Sequence, residues 1–254
     1  MLGLLLPLKL SKPMATRLFY LIAALLTFTT CEAQQKTSAN TNEDIYTYAK
    51  SSWDGIGKYY MNREIAHVMG HLGASWLERR EREKEENVSQ AIKNMDLQPD
   101  EVVADIGAGS GYYSFRIAKE LSKGKVLAVD LQPEMLAMMR QKISQQKIDN
   151  VELIQAKESN PNLPEKSIDM AFMVDVYHEL SYPKEVMQNI VAALKPNGRF
   201  ILLEYRMEDP TVPIKRLHKM SLEQAVKEME AVGLRLKNNK TNLPWQHFMI
   251  FVKD

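Results

Sequence analysis

The sequence predicts an α/β protein whose body is a largely parallel sheet with helices on both faces. Three observations carry this. Beyond Pro99, strand-like apolar runs alternate with helix-like segments, the pattern of a doubly wound sheet. The first of these strands runs straight into a glycine turn, Gly107-Ala108-Gly109-Ser110-Gly111. The chain closes on two short strand-like stretches with no helix between them, which implies a terminal antiparallel hairpin on an otherwise parallel sheet.

The elements read in order as strand Glu101–Ile106, helix Tyr112–Leu121, strand Lys125–Asp130, helix Pro133–Lys147, and strands Val151–Gln155 and Met170–Asp175. Helix Pro183–Leu194, strand Arg199–Tyr205, helix Leu222–Val232 and strands Leu234–Leu236 and His247–Val252 follow. Pro133 and Pro183 sit where a first helical residue should be, since the missing N–H is not needed there. Ser221-Leu222-Glu223-Gln224 has the capping-box spacing, with Ser221 bonding orphan amides and Gln224 reaching back. Lys195-Pro196-Asn197-Gly198 reads as a turn before a strand.

The amino-terminal third is different. Met14-Ala15-Thr16-Arg17 is a basic start to the apolar run Leu18–Phe28. At about eleven residues that run is too short to span a bilayer, which takes roughly twenty, and it suits an export leader. Met1–Pro13 reads as an upstream extension, with Met14 as a second candidate start. Two endings stay open: cleavage after Ala33, with small residues at Cys31 and Ala33, or lipidation of Cys31 as a membrane anchor. The expected organisation is a leader over 1–33, a flexible polar tether over 34–43, a helical lid over 44–98 and the α/β domain over 99–254. The lid expectation rests on Ile65, Val68, Met69, Leu72, Trp76 and Leu77 recurring at spacings of three and four. Glu78–Glu86 mixes both charge signs and reads as a solvated helix face, with Arg79 or Arg80 as candidates to turn inward toward an acidic substrate.

Composition bounds the chemistry. The 254 residues include 33 Lys+Arg and 32 Asp+Glu, for a formal net charge of +1. Lys9, Lys12, Arg17 and Glu32 fall in the leader, so the remainder is slightly acidic. No nucleic-acid partner is expected of so balanced a chain. The single cysteine, Cys31, excludes an internal disulfide, a multi-thiolate zinc site and any thiol-pair chemistry.

The glycine loop carries most of the functional signal. Glycines allow a tight turn and close approach of backbone to a ligand. The spacing is GxGxG, and Tyr112 stands where the dinucleotide fingerprint wants its third glycine. Asp105 immediately precedes the loop, and a carboxylate there opposes a pyrophosphate but favours a cation. Asp130 ends the next strand, where an acidic residue can take both ribose hydroxyls of an adenosyl group; the other reading is a helix-start cap before Pro133.

Together, DIGAGSG, VLAVDLQPEM, IDMAFMVDVYHEL and LKPNGRFILLEY resemble the class I S-adenosylmethionine-dependent methyltransferases, in particular the small-molecule branch that includes ubiquinone/menaquinone-type enzymes. The resemblance covers about 99–254. It implies a Rossmann-like seven-stranded sheet of order 3-2-1-4-5-7-6 with the last strand antiparallel, S-adenosylmethionine as cofactor and a small-molecule acceptor. It also implies that Asp105, Gly107, Gly109 and Gly111 line the methionine part, that Asp130 holds the ribose, that Leu131 packs on the adenine and that Asp175 lies beside the methionine moiety. Where the family often shows an acidic residue followed by Ala, this chain has Gln155-Ala156-Lys157-Glu158-Ser159, so either Glu158 or backbone makes the adenine contact.

Methyl transfer needs an aligned nucleophile and, for some acceptors, a base. The candidates are His178 and Tyr177, in Tyr177-His178-Glu179 past the fourth strand; His178 reads equally well as a structural histidine on the pocket wall. Glu204-Tyr205-Arg206 and His218 lie past the other strand ends. Arg206 offers charge for an acidic substrate or a pair for Glu208 or Asp209, and His218 reads as structural or substrate-positioning. His67 and His71 have chelating i,i+4 spacing, but Gly70 weakens a helix there and no metal is expected. Asn87-Val88-Ser89 matches a glycosylation sequon by chance in a helical context. A binding module on the same fold is the rival to the enzyme reading.

Overall fold

The computed structural model describes residues 45–253. The expected leader, Cys31 and the expected 34–43 tether lie outside the described residues. Among the described residues no helix is long and apolar enough to cross a membrane.

The first part of the expected lid is a sheet, not a helix. Strands β1 (Tyr46–Tyr48), β2 (Gly55–Tyr60) and β3 (Arg63–Ala66) form an antiparallel sheet in that order. Met61 and Asn62 both take positive φ, 49° and 74°, and Tyr60 pairs with Arg63. That is the two-residue turn whose twist matches paired strands, and asparagine tolerates it. Tyr60, Ile65 and Ala66 are buried, so their apolar spacing serves a strand face. The chain then makes a 3₁₀ turn at His71–Gly73 and three short helices: α1 (Ala74–Leu77), α2 (Arg82–Glu86) and α3 (Val88–Asn94). Asn87 separates the last two at φ 52°, and its side chain accepts from the Gln90 amide at 3.3 Å. The residue of the chance sequon is thus a helix cap.

The main body follows the expected alternation. It comprises β4 (Val102–Ile106), α4 (Ser114–Glu120), β5 (Lys125–Asp130), α5 (Pro133–Gln146), β6 (Val151–Gln155) and β7 (Ile168–Val174). It continues through α6 (Pro183–Ala193), β8 (Leu194–Tyr205), α7 (Leu222–Glu230), β9 (Leu234–Lys240) and β10 (Gln246–Lys253). The sheet order is β6-β5-β4-β7-β8-β10-β9, the arrangement the resemblance implies. β4 pairs in parallel with both β5 and β7, while β10 is antiparallel to β8 and β9.

Strand alternation divides the core between the two faces. Ala104, Ile106, Leu127 and Val129 pack with Met187 and Ile190 of α6 and Met229 of α7. Val103, Val126 and Phe172 pack with Ile117 of α4 and with Val88 and Ala91 of α3. The helix α3 therefore belongs to the main body, and the expected boundary at residue 98 falls within one core.

Two local expectations change. The turn Lys195–Gly198 is absorbed into β8: Ile168 pairs with Leu194 and Met170 with Arg199, so the intervening residues bulge out. Ser221 caps α7, accepting from the Gln224 amide at 3.1 Å. The Gln224 side chain does not reach back; it bonds Met61 O at 3.2 Å and Glu228 at 2.8 Å, tying α7 to the small sheet.

Candidate active site

A cavity of about 610 Å³ lies beyond the carboxyl ends of β4, β5, β7 and β8. Ligands of open α/β sheets bind there, where strand order reverses between β4 and β7. Asp105, Gly107, Gly109, Asp130 and Leu131 line it at the ends of β4 and β5. Asp175, His178, Glu179 and His218 line it from the turns after β7 and before α7. Met69, Trp76 and Leu77 from the amino-terminal segment also border it.

The glycine loop is built for close approach. Gly107 has φ 74°, and a Cβ there would lie 2.6 Å from Val176. Gly109 has φ 55°, and a Cβ would lie 2.7 Å from Leu77. Gly111 does not line the cavity, contrary to expectation. Its φ of 79° turns the chain into α4, and a Cβ would strike the Phe115 ring at 2.4 Å.

Two carboxylates frame the loop. Asp105 is almost fully buried and accepts from Ser114 Oγ at 2.6 Å. Burial pushes its pKa up to about 7, against the Ser114 bond, and the neighbouring Asp130 adds to the rise. Asp130 Oδ2 accepts from the Gly109 amide and Oδ1 from the Gln132 amide, each at 2.8 Å. Asp130 thus braces the loop rather than capping the helix, whose cap residue Gln132 makes no side-chain cap bond, and each oxygen retains a lone pair for a hydroxyl. Burial raises its pKa too. Leu131 and Glu158 are exposed at the cavity rim. Gln132, which the sequence did not flag, accepts from the His71 amide at 2.8 Å and donates to Met69 O at 3.0 Å, clamping the amino-terminal segment to the main body.

After β7 the backbone turns sharply. Asp175 takes φ 53°, and its Oδ2 accepts from Gln246 at 2.7 Å while its buried Oδ1 has no hydrogen-bond partner. Burial, with Glu86 and Glu204 nearby, drives its pKa well up. A 3₁₀ turn at Tyr177–Glu179 sends adjacent side chains in different directions. His178 and Glu179 face the cavity. Tyr177 does not: it is fully buried in the core, with Arg63 above its ring, so its expected catalytic role is corrected. His178 Nδ1 lies 2.6 Å from Glu204 Oε2, and Nε2 lies 3.1 Å from His218 Nδ1. Burial pushes the His178 pKa down to about 3 and raises that of Glu204.

Other sequence candidates are employed elsewhere. Arg206 bonds the carbonyls of Leu243, Pro244 and Gln246 and lies 3.6 Å from Asp209, away from the cavity. Arg79 pairs with Glu85 at 2.8 Å and Glu86 at 2.7 Å and covers the Trp76 ring; Arg80 is exposed. The inward arginine is Arg82, which borders the cavity, pairs with the fully buried Glu86 at 2.7 Å and offsets the rise at Asp105 and Asp175. His67 and His71 share no helix, because 67–70 is irregular, and His71 Nδ1 lies 3.9 Å from Glu134.

Asp105, Asp130, Asp175 and the partnerless Asp175 Oδ1 make the cavity acidic, and phosphate is ill suited to it. A cation-bearing adenosyl ligand fits this donor set. Residues 97–249, more than half of the chain, match a family model described as a methyltransferase domain. An uncharacterized methyltransferase-like protein of Schizosaccharomyces pombe is 31% identical over 112 residues, 44% of this chain and 41% of that protein. A demethylmenaquinone methyltransferase of Shouchella clausii is 23% identical over 124 residues, 48% of this chain and 52% of that protein. The chain spans about half the length of these curated relatives or less. In fold, it is similar to a SAM-dependent methyltransferase from Aquifex aeolicus, with a TM-score of 0.68 and 23% identity over 72% of this chain and 98% of that one. The family match coincides with the seven-stranded sheet and with the acidic glycine loop, and the chain belongs to the class I S-adenosylmethionine-dependent methyltransferases.

Proposed function

We propose that this protein transfers the methyl group of S-adenosylmethionine to a small-molecule acceptor. The observation that carries the reading is the continuity of one cavity from Asp105 and Asp130 to His178 and Glu179. Asp130 would take the ribose hydroxyls on its free lone pairs, and Asp105 and Asp175 would face the cationic methionine end. The cofactor, when bound, supplies an electrophilic methyl group. Val68, Met69, Trp76 and Leu77 border the same cavity and would confine the two reactants, whose alignment contributes much of the rate. Glu204 occupies His178 Nδ1, which leaves Nε2 as the ring atom presented to the acceptor side of the cavity.

The chain's leader pattern, Leu18–Phe28 followed by Cys31 and Ala33, supports export to a periplasmic or membrane-anchored location. Fractionation of cells, with labelled palmitate to detect acylation of Cys31, tests that part.

The activity is tested by S-adenosylhomocysteine release across a panel of hydroxyl, thiol, amine and activated-carbon acceptors. Release with one class is expected. His178→Asn should retain cofactor affinity and lose about 10²–10⁴-fold in turnover. Tight cofactor binding with no turnover on any class would favour the rival reading, a binding protein on this fold.

A further inference from the structure

Three ligand atoms converge at the floor of the cavity. His178 Nε2 lies 3.1 Å from His218 Nδ1 and 3.8 Å from Glu179 Oε1, and His218 Nδ1 lies 3.4 Å from Glu179 Oε1. None is a fixed hydrogen-bond donor: one is a carboxylate oxygen and two are imidazole nitrogens. Each imidazole has a carboxylate at its other nitrogen, Glu204 at 2.6 Å from His178 Nδ1 and Asp54 at 3.3 Å from His218 Nε2. When the ring protons sit on those outer nitrogens, two lone pairs and a carboxylate oxygen face one point.

We propose that His178, Glu179 and His218 form a binding site for a divalent transition-metal ion, which presents an ionisable hydroxyl or thiol acceptor to the methyl donor. The geometry supports this. Two ligand atoms each about 2.1 Å from one ion, at tetrahedral to octahedral angles, stand roughly 3.0–3.4 Å apart. Two of the three separations lie in that range, and the third is a few tenths longer. Two imidazoles and one carboxylate suit zinc, iron(II) or cobalt(II) rather than magnesium or calcium. Outer carboxylates on both histidines are the supporting arrangement that metal-bound histidines commonly have. The second oxygen of Glu179 accepts from the Met69 amide at 3.1 Å, and Lys215 holds Asp54 at 2.9 Å, so both carboxylates are fixed. The three ligands come from the turns after β7 and before α7, and all three border the cavity. Coordination positions therefore remain on the cavity side, where the acceptor would enter.

The sequence did not suggest this site, because Glu179 and His218 are 39 positions apart and only the sheet order brings their loops together. The ion lowers the pKa of a bound hydroxyl or thiol, whose proton leaves to solvent. The acceptor oxygen or sulfur then bonds the methyl carbon as the carbon–sulfonium bond breaks, and that electron pair returns to sulfur. The acceptor role rests on the methyltransferase reading; the metal site does not.

The test uses the untagged full chain, freed of metal by a chelator, titrated with Co²⁺ in the visible range and with Zn²⁺ by calorimetry. One ion per chain is expected, with the d–d bands of protein-bound Co²⁺. His218→Ala and Glu179→Gln should each weaken binding about tenfold or more, and Glu204→Gln by about 10–100-fold through His178. His71→Ala should not change it, and thermal unfolding of each variant confirms its fold. No bands and no Zn²⁺ heat, or equal affinity in the His218→Ala and Glu179→Gln variants, would overturn the proposal. S-adenosylhomocysteine affinity is measured on the same samples. Metal binding without it would count against the methyltransferase reading alone, and the converse against the metal site alone.

Discussion

His178 Nδ1 and Glu204 Oε2 stand 2.6 Å apart, with both side chains almost excluded from solvent. The contact follows from strand pairing. β7 and β8 run parallel with Val174 opposite Leu203, so the turn after β7 and the end of β8 emerge side by side. A buried carboxylate is costly unless bonded, and the His178 ring and amide supply those bonds, the amide at 3.4 Å. Glu204 is thus a positioning residue for His178. Glu204→Gln preserves the shape but no longer fixes the orientation and proton position of the His178 ring with a carboxylate. It should lower kcat about 10²–10⁴-fold with little change in cofactor affinity, as comparison of turnover with S-adenosylhomocysteine titration will show.

Asp105 gives a pH signature. Its pKa rises from 3.8 to about 7 because burial disfavours the charge. The folded protein therefore holds this proton more tightly than the unfolded chain does. Its contribution to stability is fully present below about pH 4 and is lost as pH rises through about 7. Asp105→Asn removes that loss, so its melting temperature should exceed wild type at about pH 8 and fall less between about pH 5 and 8. A cationic ligand favours the carboxylate, so wild-type affinity should rise over the same interval. The variant should bind about 1.5–3 kcal/mol more weakly at about pH 8, the worth of a bond to a charged group. Calorimetry and thermal melts at several pH values check both.

Asp130 carries two tasks, bracing the loop amides of Gly109 and Gln132 and offering lone pairs to ribose. Asp130→Ala should weaken cofactor binding by about 1–3 kcal/mol and also destabilise the fold by a similar amount, since it strands two amides. Asp130→Asn should restore much of the stability and less of the affinity. Urea titration and calorimetry separate the two effects.

Arg82 and Glu86 form a buried pair that also holds Tyr205, whose hydroxyl donates to Glu86 at 2.8 Å. Arg82→Met leaves Glu86 without its i,i+4 partner. It should cost about 3 kcal/mol, the lower end for a broken buried pair because Arg79 remains. Chemical denaturation measures this directly.

The main sheet was legible because its central strands β4, β5 and β7 are buried runs with a turn signal at their ends, and Pro133 and Pro183 mark helix starts one residue deep. The cofactor end was legible because Asp105, the glycines and Asp130 lie within one strand–turn–helix–strand unit, where local sequence fixes local geometry. The small sheet was not, because Tyr59, Tyr60 and Ile65 satisfy helical and strand spacings alike, and only the Met61-Asn62 turn decides between them. The charged run misled for a related reason: local pairing at i,i+4 was correct, but burial of Arg82 and Glu86 depends on Tyr113 and Tyr205 from distant elements. The His178–Glu179–His218 cluster was invisible because it is assembled from two loops through long-range topology.

The most direct measurement is a calorimetric titration of the full chain with S-adenosylhomocysteine, repeated on Asp130→Ala. One binding event per chain, weakened in the variant by about 1–3 kcal/mol, is the result this structure requires. A folded chain that shows no binding heat, or binds equally well without Asp130, would contradict the assignment of the cavity.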